Sequence, residues 1–222
     1  MRDYREIILA YLPKISDLLS RLGVKYYVVG SDAVYRCLTN PSEVYNLRQR
    51  QLLNVASKIW EIYVFCRVAN AIRELARGIV EVKDDTIRFM WGEHIRMIRD
   101  KYKYGIEPEM KPTITISSPT NVYTMYFQFP TIAFNIDIAV ITPEGQHLFI
   151  DAKLHPSERD LDQLYKYRRI VSDVEREFGE SHLAVVYYHA PTYKTRDLLR
   201  EIGIDLISKD EIELYLEKYI RV

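Results

Sequence analysis

The spacing of apolar positions is helical in the first half of the chain and largely extended in the second. Apolar residues recur every three or four positions across Met1–Leu22, which predicts an amphipathic helix. The longest helical pattern covers Pro41–Ala76, and the short apolar run Val24–Val29 is typical of a strand. Two further runs, Ile79–Val82 and Ile87–Trp91, predict a β-hairpin because a polar turn separates them.

The second half begins after a proline-containing linker at 107–112 and alternates strands with helices. The elements expected there are the strands Thr113–Ser117, Val122–Phe129, Ala133–Thr142 and His147–Lys153, the helix Ser157–Phe178, the strand His182–His189, the helix Thr195–Ile202, the strand Ile204–Ile207 and the helix Asp210–Tyr219. This order predicts an α/β fold, with a mixed β-sheet core flanked by helices and a mainly helical N-terminal extension. The helix Ser157–Phe178 would join its two neighbouring strands as a βαβ crossover. The chain therefore divides into a helical region, 1–110, and a sheet region, 111–222.

Composition excludes several classes of function. The chain has 31 Lys and Arg against 31 Asp and Glu, so its net charge is zero, which excludes a uniformly basic coat but allows a local basic face. The two cysteines, Cys37 and Cys66, are too few for a disulfide scaffold or a four-cysteine metal site. The sequence contains no signal-peptide pattern and no run of about 18 apolar residues, so we expect an intracellular, cytoplasmic protein with no membrane partner.

The candidate chemistry lies on the two strands that flank the turn at 143–145. Strand side chains alternate, so Asp151 and Lys153 share one face. Asp137 stands between two isoleucines, where a charge is costly unless it is paired or binds a metal. Two carboxylates and the backbone carbonyl of Ala152 suit Mg²⁺, or Mn²⁺ in its place. A water on that ion can act as the nucleophile, and the lysine can stabilise charge on a phosphoryl group.

These residues resemble the motif of the PD-(D/E)XK, or restriction-endonuclease-like, nuclease superfamily. Asp137 is followed 14 residues later by Asp151-x-Lys153, and the next helix carries Gln163-x-x-x-Tyr167, which is similar to a motif of the RecB-type and Cas4-type branches. The resemblance implies that Asp137, Asp151, Lys153, Gln163 and Tyr167 are catalytic and that Asp137, Asp151 and Ala152 bind the metal. It implies a restriction-endonuclease-like fold and a Mg²⁺-dependent DNA endonuclease of the RecB or Holliday-junction-resolvase-like kind.

The family pattern covers residues 113–190 and leaves some features of the chain open. The family usually adds a Glu from a helix ahead of the strands, and both Glu61 and Glu93 are candidates for it. The four cysteines of a cluster-bearing Cas4 are missing. Because one metal site cuts one strand, cleavage of a duplex at paired positions predicts a homodimer.

The helical region 1–110 is expected to be an elaboration that binds DNA or forms the dimer interface. Its basic residues between Arg48 and Arg77 serve either as DNA contacts or as a solvated helix face. Its apolar aromatics belong either to an interface or to the core; they are Trp60, Tyr63, Phe65, Phe89 and Trp91.

Two alternatives to a nuclease remain open at the level of the sequence. The chain could be an inactive DNA-binding or assembly module on the same fold. The turn at Gly30-Ser31 resembles that of nucleotidyltransferases, but it lies 107 residues before Asp137, and that assignment leaves Lys153 without a role.

Overall fold

The computed structural model describes residues 4–92, 112–130, 135–155 and 179–220, together with eight helical positions between 162 and 176. The α-helices that lie wholly within the described residues are α1 (Tyr4–Leu22), α2 (Asp32–Thr39), α3 (Gln49–Leu75), α4 (Tyr193–Glu201) and α5 (Ile212–Leu216). The strands are β1 (Lys25–Val29), β2 (Ile79–Glu81), β3 (Thr86–Met90), β4 (Ile114–Ser117), β5 (Val122–Pro130), β6 (Asn135–Ile141), β7 (His147–Lys153), β8 (Ser181–Tyr187) and β9 (Asp205–Ser208). Short 3₁₀ helices occupy Pro41–Asn46 and Lys83–Asp85. None of the described helices is long and apolar enough to cross a bilayer.

Seven strands form one mixed sheet in the order β2-β4-β5-β6-β7-β8-β9. Neighbouring strands are antiparallel from β2 to β7, and the pairs β7–β8 and β8–β9 are parallel. Parallel pairing of β7 and β8 requires a crossover connection, which the helical positions between 162 and 176 provide. The predicted α/β fold with a mixed sheet flanked by helices is confirmed, as is the βαβ crossover.

Helix α3 is the centre of the larger core. Five consecutive residues, Ile62–Cys66, are all buried, which requires packing partners on more than one side of the helix. Helix α1 packs along one side, where Trp60 and Tyr63 of α3 surround Tyr11. On the sheet side, Phe65 meets Phe127 of β5 with ring centroids 5.6 Å apart. The aromatics considered for an interface are all buried in this core: Trp60, Tyr63, Phe65, Phe89 and Trp91.

The single helix predicted over Pro41–Ala76 is wrong at its beginning. Leu47 and Arg48 are extended, with ψ of 133° and 153°, and α3 begins only at Gln49. The Gln51 side chain accepts a hydrogen bond of 3.0 Å from the backbone N–H of Arg48, which fixes this start. Since the buried Leu47 keeps the apolar spacing across the break, the pattern could not reveal it.

The hairpin predicted over Ile79–Val82 and Ile87–Trp91 is also wrong. Strand β2 pairs with β4 in the large sheet, whereas β3 pairs in parallel with β1. The turn between the two strands contains Asp84 and Asp85, both with left-handed φ. The rings of Phe65 and Phe127 hold Phe89 of β3 against the core, so tertiary packing decides the pairing.

We expect Gly30→Ala to destabilise the protein more than Gly23→Ala. Both glycines have positive φ, so each change costs about 1–2 kcal/mol of backbone strain. A Cβ on Gly30 would also lie 2.3 Å from the carbonyl oxygen of Trp91, whereas one on Gly23 would meet nothing within 4 Å. Overpacking adds about 1–3 kcal/mol, so urea unfolding should separate the variants by that amount. Equal losses would contradict the close contact.

Candidate active site

Two buried carboxylates lie next to each other on β6 and β7. The antiparallel ladder pairs Ile138 with Ile150, and one further step along the two strands brings Asp137 beside Asp151. Asp137 is 8% exposed and Asp151 is fully buried. The sequence predicts that these two residues lie together, and the register of the hairpin brings them together.

Lys153 contacts the second carboxylate. Its Nζ lies 2.9 Å from Oδ2 of Asp151, and its side chain is only 17% exposed. This contact is an ion pair, and among the described residues no backbone N–H and no neutral side chain donates to the two buried oxygens of Asp151. Buried carboxylate oxygens with so few donors suit a hard divalent cation. The carboxylate oxygens available as ligands therefore fit the Mg²⁺ or Mn²⁺ that the motif implies.

Asp137 is held at both of its oxygens. Oδ2 accepts a hydrogen bond of 2.9 Å from the backbone N–H of Ala152, and Oδ1 accepts one of 3.0 Å from Nε2 of Gln128. The backbone carbonyl of Lys153 points away from Asp137, towards β8, and accepts a hydrogen bond from the backbone N–H of Tyr188. Since backbone groups alternate along a strand, those of Ala152 point towards β6 and Asp137. The Ala152 carbonyl thus lies on the side that the expected third ligand requires.

Glu61 of α3 joins the site from the other direction. Its Oε2 accepts hydrogen bonds from Nε1 of Trp91, at 2.8 Å, and from Nε2 of Gln128, at 3.1 Å. Of the two glutamates considered, Glu61 is therefore linked to Asp137 through the side chain of Gln128. Glu93 lies outside the described residues. Gln128 was missed by sequence analysis. A polar residue between Phe127 and Phe129 was the available signal, of the same kind that marked Asp137.

The two strands that carry Gln128 and Asp137 are irregular at this pair. Phe127 and Ile138 belong to the core cluster beneath α3, whereas Phe129 and Ile136 belong to a second cluster on the opposite side of the sheet. Residues two apart on a regular strand share a face, so the alternation is interrupted between them. Gln128 has φ of 57°, rare for a residue other than glycine. The interruption lets its side chain reach Glu61.

Burial sets the electrostatics of the three acids. It raises the pKa of Asp151 to about 8, where Lys153 opposes the shift and Asp137 adds to it. Burial raises the pKa of Glu61 to about 7, opposed by the Trp91 hydrogen bond and by Lys153. The pKa of Asp137 is also raised, mainly by burial and next by Glu61. Additional positive charge at this site would lower the pKa of all three acids.

The acids do not form a cage of three side chains. Among the described residues, no group of three His, Cys, Asp or Glu side chains is placed to hold a metal ion. An ion here would therefore depend on Asp137, Asp151 and a backbone oxygen, with Glu61 held by Trp91 and Gln128.

The remaining candidates are placed elsewhere or lie outside the structure's description. Gln163 and Tyr167 lie outside the described residues. Two arginines of α3 are engaged within the chain: Arg67 pairs with Glu213, and Arg73 donates to the carbonyl of Arg21. The basic face expected along α3 is therefore at least partly used in internal contacts.

Comparison with known proteins gives structural similarity only. No family model matches the sequence, and no curated protein matches it. A repair endonuclease from Pyrococcus abyssi is similar over 52% of this chain and 45% of its own, with 18% identity and a TM-score of 0.31. Protein VC1899 from Vibrio cholerae covers 98% of this chain with 11% identity and a TM-score of 0.45. Can2 from Sulfobacillus thermosulfidooxidans, solved with cyclic tetra-adenylate, covers 100% with 11% identity and a TM-score of 0.41. The chain spans 55% of the length of each of the latter two.

We expect Asp151→Asn to stabilise the metal-free protein at alkaline pH. A carboxyl group with a raised pKa in the folded state contributes its full stability below its unfolded pKa of about 4 and loses it as the pH rises through the folded value of about 8. Asparagine removes this loss, and each pKa unit corresponds to about 1.4 kcal/mol. Urea unfolding with a chelator should show a gain above about 1 kcal/mol at pH 8 that shrinks towards pH 4.

The control for this change is Glu144→Gln, in the exposed turn before β7. It should give no comparable gain at pH 8. A wild-type stability that rises steadily between pH 4 and pH 8, parallel to that of Asp151→Asn, would contradict the assignment.

Proposed function

We propose that this chain is a metal-dependent nuclease that hydrolyses phosphodiester bonds in DNA. The observation that carries the proposal is the buried pair Asp137 and Asp151, with Lys153 against the second carboxylate. An apolar sheet does not retain two adjacent acids for stability, since each raises the cost of ionising the other. Such an arrangement is typical of a site that binds a cation and does chemistry.

Each residue has a distinct role in the proposed reaction. Asp137, Asp151 and the Ala152 carbonyl would hold Mg²⁺ or Mn²⁺, which supplies a polarised phosphoryl oxygen and a water of lowered pKa. Lys153 would orient the attacking water through Nζ and stabilise negative charge on the phosphoryl group. Low exposure of Lys153 strengthens both effects, because little solvent screens its charge.

Two residues of the proposed machinery, Gln163 and Tyr167, are included through the motif alone. The family pattern would place them beside the substrate, where the glutamine would position DNA. Lys166 and Arg169, which are helical and exposed, would supply phosphate contacts.

The alternative functions have less support. A nucleotidyltransferase would bind its nucleotide at the Gly30-Ser31 turn, yet a Cβ on Gly30 would lie 2.3 Å from the carbonyl oxygen of Trp91, so packing within the chain explains this glycine. An inactive DNA-binding module needs neither Lys153 nor both acids. Their joint burial favours the enzyme.

The decisive test is cleavage of linear duplex, single-stranded, flapped and four-way-junction DNA with Mg²⁺ or Mn²⁺. Wild type should cleave at least one of them, and Lys153→Ala should fold but lose turnover by about a hundredfold or more, the scale of one transition-state charge contact. Lys83→Ala changes an exposed lysine outside the two strands that carry the site. It is the matched control and should remain fully active. Full activity of Lys153→Ala would remove its proposed role.

Metal binding gives an independent test of the two acids. Mg²⁺ should raise the melting temperature of wild type, because it binds only the folded state, and should leave those of Asp137→Asn and Asp151→Asn unchanged. Both variants should also fail to cleave DNA. Absence of a shift in wild type, or normal cleavage by either variant, would leave the inactive module as the better explanation.

We further propose a homodimer, since duplex cleavage at paired positions is served by two copies related by a two-fold axis. The interface would not involve the buried aromatics around α3. Sedimentation at micromolar concentration should give about twice the monomer mass, which is 26.3 kDa. A monomer would count against this proposal and favour a processive exonuclease.

A further inference from the structure

Gln128 has a backbone conformation that the register of its strand does not explain. It lies inside β5, is only 7% exposed and has φ of 57°. The pairs on either side, Phe127 with Ile138 and Phe129 with Ile136, keep one register, so no inserted residue explains this conformation. Unusual backbone angles persist where surrounding structure fixes them, and they are enriched at functional sites.

The side chain of Gln128 connects two acids from different elements. Its Nε2 donates to Oε2 of Glu61 and to Oδ1 of Asp137, so the amide uses both of its N–H groups. Together with the Ala152 N–H on Oδ2, this fixes the Asp137 carboxylate at both oxygens.

The amide is chemically suited to this position. An apolar residue would leave Glu61 and Asp137 facing each other without a donor between them, which is costly in a buried site. A carboxylate would add a third repelling charge, and a lysine would supply a cation of its own. A neutral amide offers two donors and leaves the positive charge to an external ion.

We propose that Gln128 is a positioning residue that holds Glu61 and Asp137 in a fixed arrangement and so presets Asp137 for the ion it shares with Asp151. The proposal rests on the proposed function for the identity of that ion. The competing explanation is that Gln128 matters only for the path of the β5 backbone.

Two substitutions distinguish the side chain from the backbone. Gln128→Met keeps the size and loses the donors, whereas Gln128→Gly also loses the donors but adopts positive φ without strain. Calorimetric titration with Mn²⁺ in the absence of DNA should show binding weakened at least tenfold in both, the scale of lost partners of metal ligands. Gln49→Met, at an exposed position at the start of α3, should bind as wild type. Wild-type affinity in Gln128→Gly would overturn the proposal.

A double-mutant cycle without metal tests the bridge itself. Gln128→Met should lower the melting temperature when it is introduced into wild type. Introduced into Glu61→Leu, it should lower the melting temperature at most half as much, because one of the two acids is already gone. Equal losses in both backgrounds would overturn the bridge. If wild type binds no Mn²⁺, the proposed nuclease fails, and this metal-free cycle still decides whether Gln128 holds the two acids.

Discussion

Burial of two acids side by side in an apolar sheet is the constraint around which this site is built. The antiparallel register of β6 and β7 imposes the proximity of Asp137 and Asp151, and both residues are buried. Each neighbour of the pair offsets part of that cost: Lys153 by its charge, and Ala152 and Gln128 by hydrogen bonds. The raised pKa of Asp151 shows that the offset is incomplete. A divalent cation would supply the missing charge.

The helical first half and the sheet are joined in the same core. Helix α3 packs against α1 on one side and places Phe65 against the sheet on another, so the side chains that stabilise it also fix Glu61. Strand β2 extends the sheet next to β4, and Trp91, which follows β3, donates to Glu61. The position of the third acid therefore depends on residues that lie well before the segment carrying the motif.

The sequence was most informative where local pattern and local contact coincide. The strands from β4 to β9 and the adjacency of Asp137 and Asp151 follow from alternation and from one short turn. The parallel pairing of β1 with β3 could not be predicted, because it depends on the contacts of Phe89 with distant rings. Gln128 was missed for a similar reason, since its partner Glu61 lies 67 positions away. The roles of Gln163 and Tyr167 stay predictions.

The hydrogen bonds on Glu61 have a consequence for how the site forms during folding. They join positions 30 and 67 residues apart, whereas the bond between Asp137 and Ala152 spans only 15. Closing long loops is entropically expensive and comes late unless many contacts form together. The β6–β7 hairpin can place its two acids early, but Glu61 arrives only when α3 docks on the sheet. A fragment that begins at β4 would carry the motif and lack the completed site.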